Sequence, residues 1–202
     1  MQLFLNATSP FARLARVVAI EKGLIQHIEL VWCDPWNNDP ALLAQHPQAR
    51  IPVLVTPQGP AIAESLLIAH YLDAMGSAPR LVPPTQAATV LACTSVAYGL
   101  METAFQRVIT RKHEGGAIAD ASILGQRRQA AMQRTLEQLE HTALATPAWA
   151  ADTPVHLGHL SLAVALDYVR FRLPELLPPY PRCDAWLNAM LQRPSLQDTA
   201  WG

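Results

Sequence analysis

The sequence predicts a small mixed α/β half followed by an all-helical half, and three observations carry that reading. Strand-like and helix-like patterns alternate over the first 75 residues. A tract rich in proline and small residues, "GSAPRLVPPTQ", then interrupts them. Beyond Gln86 only helical periodicity remains. The expected division is 1–75, a linker at 76–86, and a helical domain at 87–202.

In the first half, "QLFLN" is a short apolar strand. Ser9-Pro10 then opens a helix: the hydroxyl caps free amides and proline occupies a first-turn position that needs no amide hydrogen. From Pro10 to Leu24 the apolar residues Phe11, Leu14, Val18 and Ile20 leave Arg13 and Arg16 on another face. "HIELVWC" (27–33) is a second strand, followed by the polar loop "DPWNNDP" and the helical turn "ALLAQH". "IPVLVT" and "PAIAE", on either side of "PQG", read as a hairpin. "SLLIAHYLDAM" (65–75) closes the half as a helix with Ser65 as its cap. The order β-α-β-(α)-β-β-α makes the first two strands parallel and the hairpin an antiparallel edge.

The second half contains four helical stretches: "AATVLACTSVAYGLMETAFQRVITRK", "ASILGQRRQAAMQRTLEQLEHTALA", "LGHLSLAVALDYVRFRL" and "RCDAWLNAMLQR". The breaker "PELLPPYPR" separates the last two, and no internal repeat appears.

Half of the 202 residues are apolar, 15% are charged, and the net charge is −1. That balance gives no electrostatic reason to expect nucleic acid or an acidic membrane surface as partner. Cys33, Cys93 and Cys183 are scattered thiols without a CxxC pair, which fits a reducing compartment. No basic segment leads into an apolar run at the start of the sequence, and "LSLAVAL" is far too short to cross a bilayer. The expectation is a soluble cytoplasmic protein with no membrane partner. His156 and His159 stand at i, i+3 without a nearby carboxylate or thiol, so no metal site is expected.

Four segments, in order along essentially the whole chain, resemble the glutathione S-transferase superfamily. "TSPFARLARV" is similar to the family's serine-type motif at the first helix, and "ARIPVLV" to its cis-proline segment. "AES" before "LLIAHYL" is similar to its Glu-Ser ligand site, and "HLGHLSLAVALDYV" to the buried helix of its second domain. The resemblance is closest to small bacterial serine-type members. It implies a thioredoxin-like N-terminal domain followed by an all-α C-terminal domain, glutathione as co-substrate, and a homodimer.

What it implies for individual residues has physical sense. A free thiol with a pKa near 8.5 is only ~3% thiolate at neutral pH, and the thiolate is the nucleophile. Ser9, a hydroxyl donor at a helix N-terminus, suits the stabilisation of that anion; Thr8 is the alternative donor. Ile51, before the structural Pro52, is expected to pair its main chain with the cysteinyl part of glutathione. Pro52 itself marks a strand edge or entrance. Glu64 and Ser65 suit an α-amino acid head, the carboxylate on the helix N-terminus and hydroxyl, the ammonium on Glu64. Arg50 falls where family members place a cation near the glycine end. A second-substrate pocket is expected around Phe11, Tyr98, Met101 and Phe105, with Glu102 on the same helix; packing is the competing role for all of them. Trp32 and Trp36 either wall the glutathione site or pack.

Serine cannot form a mixed disulfide, so thiol transfer through this position is disfavoured. Conjugation to a small hydrophobic electrophile, peroxide reduction, or glutathione-dependent isomerisation remain, and a non-catalytic binding protein on the same scaffold is the alternative. Two departures from the family pattern stand out. His156 and His159 occupy the positions of a Ser/Thr-x-x-Asp capping box, predicting a loss of stability as histidine protonates. "HPQAR" replaces Asn-Pro-x-Gly-Lys before the cis-proline segment.

Overall fold

Leu3 and Leu5 are fully buried and Phe4 nearly so, because their strand lies inside a sheet covered on both faces. The computed structural model describes residues 1–150 and 154–201. They form two units, Met1–Leu81 together with the segment from Pro194 onward, and Val82–Arg193.

In the first unit, β1 (Gln2–Leu5), β2 (Glu29–Trp32), β3 (Val53–Val55) and β4 (Ala61–Ala63) form one sheet in the order β2-β1-β3-β4. β1 and β2 are parallel, with Leu3 opposite Leu30. The β1–β3 and β3–β4 pairs are antiparallel. Strand alternation divides the core. Phe4 and Val53 pack with Leu42 of α2 (Pro40–Gln45) and with Ala49. Leu3, Leu5 and Leu54 point to the other face, where α1 (Pro10–Glu21) and α3 (Ser65–Met75) pack against each other. β3 is thus an interior strand, and its ladder begins at Val53. Pro52 marks a strand entrance and not a sheet edge.

α1 stops at Glu21, short of the expected Leu24. Gly23 adopts φ 67° while its amide donates to Ile20 and the amide of Leu24 to Ala19, closing the helix with a left-handed glycine. The adjoining Lys22 is fully buried. Its Nζ donates to the carbonyls of Ala78 (2.7 Å) and Pro79 (2.9 Å) and pairs with Asp73 at 3.0 Å. Asp73 Oδ1 also accepts the Leu81 amide at 2.8 Å, so one buried ion pair ties α1 and α3 to the start of the linker.

The segment from Pro194, which the sequence reading places at the end of the helical domain, groups with this first unit instead. It contains the short α9 (Pro194–Gln197), and its partner is α1. No apolar period announces this, because polar side chains make the attachment.

The second unit is helical: α4 (Ala87–Glu114), α5 (Gly116–Ala121), α6 (Ile123–His141), α7 (Leu157–Arg172) and α8 (Pro181–Met190). α7 is buried at every residue from Leu157 to Val169, as an all-round apolar helix requires. α4 runs along it at close range: a Cβ on Gly158 would lie 2.7 Å from Cys93 Cβ. The sequence reading begins the helix of α6 at Ala121, close to the observed break, but gives no element to α5. Ser122 makes the break, accepting the Gly125 amide at 3.0 Å and donating to the Ala119 carbonyl at 2.7 Å.

By length and composition the helical span Pro84–Glu114 is long and apolar enough to cross a membrane, which the shorter "LSLAVAL" is not. Here α4 is the central helix of its unit, in contact with α5, α6 and α7.

Candidate functional site

The site residues expected from the sequence fall into two groups, and the first gathers at the carboxyl end of β1 and the turns beside it. Asn6 follows β1 directly. Its Oδ1 accepts the amides of Thr8 (3.2 Å) and Ser9 (2.9 Å), turning the chain into α1. Sequence reasoning missed this role, although an Asn just past a strand is the signal for such a turn. Ser9 is the N-cap and is 7% exposed; its Oγ accepts the Ala12 amide at 3.2 Å and its carbonyl accepts the Arg13 amide at 3.0 Å. The cap uses a lone pair of the hydroxyl and leaves its proton to donate elsewhere. Capping therefore does not use up the donor capacity of the hydroxyl. Thr8, next to it, is partly buried.

The Ile51–Pro52 peptide bond is cis. Ile51 precedes the first paired residue of β3, so its main chain lies outside the ladder. The approach to it contains Ala49 at φ 50°, where the family pattern has a glycine. Arg50 and Glu64 come together: Nη1 and Oε1 are 3.1 Å apart in an exposed ion pair. The sequence reading sends them to opposite ends of a tripeptide, whereas here each satisfies the other.

Glu64, not Ser65, is the N-cap of α3, a correction to the sequence reading. Its backbone sits at φ 67°, ψ 118°, its side chain makes no capping bond, and Ser65 is the first helical residue, buried to 1%. A non-glycine residue in that region costs on the order of 1–3 kcal/mol and is found where surrounding structure imposes it, commonly at ligand sites. No residue-type signal predicts it, because glutamate has no preference for positive φ.

The second group is less uniform. Phe11 is partly buried on α1. On α4, Tyr98 and Phe105 are partly buried, Glu102 is exposed, and Met101 is fully buried, which gives it the packing role. Trp32 and Trp36 are 55% and 53% exposed, and the Arg16 guanidinium lies 5.5 Å from the Trp32 ring.

The two histidines do form a capping box. His156 Nδ1 accepts the His159 amide (3.3 Å), and His159 Nδ1 accepts the His156 amide (3.4 Å), with the rings stacked 3.7 Å apart. His156 Nε2 faces the Ala148 carbonyl at 3.0 Å, which assigns the proton to Nε2. Burial lowers the pKa of both rings, that of His159 to about 4, with His156 and Arg193 adding to the effect at His159. Among the described residues no group of three or more His, Cys, Asp or Glu side chains is placed to hold a metal.

Comparison with known proteins decides the family. The glutathione S-transferase N-terminal domain pattern matches residues 8–75. The chain is 30% identical over 174 residues to the uncharacterized GST-like protein YibF of Escherichia coli K12, covering 85% of this chain and 83% of that protein. The chain belongs to the glutathione S-transferase family. Its fold agrees: a glutathione transferase family member from Pseudomonas fluorescens Pf-5, crystallised with bound glutathione, superposes with a TM-score of 0.88 at 26% identity, over 100% of this chain and 98% of that one. A glutathione S-transferase from Methylobacillus flagellatus, with glutathione bound, gives 0.83 at 26% identity over 98% of both chains. Yeast Gtt2 shares the fold at 19% identity and a TM-score of 0.82, covering 99% of this chain and all of that one. Ser9 at the start of α1, the cis Ile51–Pro52 bond and the Glu64–Ser65 corner all lie in the first unit.

Proposed function

We propose that this protein binds glutathione on its first unit and activates the thiol for attack on a small hydrophobic electrophile, or on a peroxide. The observation that carries the reading is Ser9: a buried hydroxyl at the N-terminus of a twelve-residue helix, capping with a lone pair and retaining a proton to donate. A charge-assisted hydrogen bond and the helix dipole both favour the thiolate over the thiol. Lowering the thiol pKa by about two units makes most of it thiolate at neutral pH and corresponds to ~2.7 kcal/mol. The glutathione found in relatives from Pseudomonas and Methylobacillus supports the choice of thiol.

In this reading the main chain of Ile51, beyond the end of the β3 ladder, pairs with the cysteinyl residue. The N-terminus of α3 and Ser65 receive the γ-glutamyl carboxylate, and Glu64 the ammonium. Arg50, paired with Glu64 in the free protein, exchanges that partner for the peptide. The protein works as a homodimer in a reducing cytoplasm, where its three cysteines stay as thiols.

Calorimetry with millimolar glutathione, paired with turnover of a general electrophile by the wild type and Ser9→Ala, tests the proposal. The expected result is measurable heat of binding and a loss of turnover of about a hundredfold in the variant, comparable to removing one anion-stabilising donor. Binding without turnover in the wild type turns the reading to a non-catalytic binding protein. Absence of binding removes it.

A further inference from the structure

The helix that presents Ser9 is held from below by a segment distant in sequence. Arg13, one turn after Ser9, is 3% exposed. Its Nε donates to Thr199 Oγ1 at 3.3 Å, its Nη2 to the Leu196 carbonyl at 3.1 Å, and its guanidinium lies 4.4 Å from the Trp201 ring centroid. Thr199 Oγ1 donates in turn to the Ser195 carbonyl at 2.8 Å, which fixes the lone pair that Arg13 uses. The attachment continues along α1: Arg16 Nη2 reaches the Asp198 carbonyl at 3.4 Å, and Ser195 Oγ donates to Glu21 Oε1 at 2.5 Å. Three side chains spread over α1 therefore grip residues 195–201.

An arginine fork buried against a carbonyl, a hydroxyl and an indole is specified in position and direction, which a lysine is not. Its own amide donates to the Ser9 carbonyl, and the preceding amide, that of Ala12, donates to the Ser9 hydroxyl. Whatever fixes Arg13 fixes both ends of the Ser9 residue. A donor aimed at a developing or resident anion loses effect steeply with misplacement, so the anchoring of this first turn bears on chemistry.

We propose that Arg13, held by Thr199, Leu196 and Trp201, is a positioning residue for the Ser9 hydroxyl. Residues 195–201 are the strap through which it acts. The inference rests on the reading of Ser9 as the thiol's hydrogen-bond donor, and it adds a residue that touches no substrate.

The test uses the full chain with Arg13→Met and the near-isosteric Thr199→Val, each also combined with Ser9→Ala. The second substitution removes one hydroxyl and keeps the packing, so it answers the question if Arg13→Met fails to fold. Three quantities are measured: the pH midpoint of kcat/KM with a general electrophile, KM for glutathione, and hydrogen exchange at the Ala12 and Arg13 amides. The expected outcome is a midpoint raised by about one pH unit, kcat near neutrality down about tenfold, and KM within about twofold. Exchange at the two amides rises by about tenfold, and neither substitution moves the midpoint further in the Ser9→Ala background. An unmoved midpoint overturns the proposal. So does an equal displacement without Ser9, which shows that the Arg13 charge acts directly. If Ser9→Ala abolishes turnover while Arg13→Met and Thr199→Val leave it intact, only the strap is wrong. A wild type that takes no glutathione brings down the reading of Ser9 together with it.

Discussion

Acidification to pH 5 should destabilise this protein through one identifiable device, the histidine capping box of α7. Both His156 and His159 accept a backbone amide at Nδ1, and both carry their proton on Nε2. Protonation places a hydrogen on Nδ1 and sets donor against donor at each end of the box. It also puts two cations in stacked rings at a helix N-terminus, where positive charge is unfavourable. The groups around His159 reinforce this: Arg193 is a further cation, and the Trp149 and Trp186 rings, with centroids 6.2 Å and 6.1 Å away, offer no counter-charge.

The folded pKa of His159 lies below its ordinary 6.5, at about 4, so between these values the unfolded chain binds more protons. Stability is complete above pH 6.5 and is lost as pH falls toward 4. The full difference corresponds to about 3 kcal/mol, of which about 2 kcal/mol is already gone at pH 5. His156, lowered in the same direction, adds to it.

Calorimetric melting at pH 7.5, 6.0 and 5.0 should show Tm falling by about 4–8 °C at the lowest pH for a chain of this size. Glu140 does not confound the range. Burial pushes its carboxyl up, but the amides of Arg182 and Cys183, both at 2.9 Å, draw it below the ordinary 4.5, so its contribution is lost only at lower pH. The double replacement His156→Ser, His159→Asp supplies cap acceptors that do not titrate in the window and should flatten the dependence. A flat Tm in the wild type, or an unchanged slope in the double variant, refutes the reasoning.

Three further outcomes follow from the packing. Lys22→Met leaves Asp73 and the Ala78 and Pro79 carbonyls without their buried cation, and urea unfolding should show a loss of about 3–5 kcal/mol. Ala49→Gly relieves a left-handed alanine at φ 50°, and the same assay should register a gain of roughly 0.5–1 kcal/mol; a loss would mean the alanine methyl in the Phe4–Val53 cluster matters more. Gly158→Ala places a methyl 2.7 Å from Cys93 Cβ and should cost about 1–3 kcal/mol by thermal melting, since α4 and α7 must separate to admit it.

The sequence alone determined the alternation of elements in the first half and the place where it stops, and it set Ser9 at a helix start and Pro52 at a strand entrance. These are legible because they depend on neighbours in the chain: apolar period, proline before a strand, a hydroxyl before a helix. It also placed the two histidines at a helix start, where their replacement of a usual cap was visible as a pattern. Only the tertiary structure decided how these residues meet. That Glu64 and not Ser65 is the cap of α3 depends on a backbone twist that no glutamate prefers. That Arg50 pairs with Glu64, and that β3 lies inside the sheet, are consequences of strand order. The attachment of residues 195–201 to α1, some 180 positions away, is made by Arg13, Arg16 and Glu21, side chains whose polarity reads in sequence as an exposed helix face. Local patterns report what each segment wants from solvent. Which distant polar groups will take the place of that solvent is settled only when the chain has closed on itself.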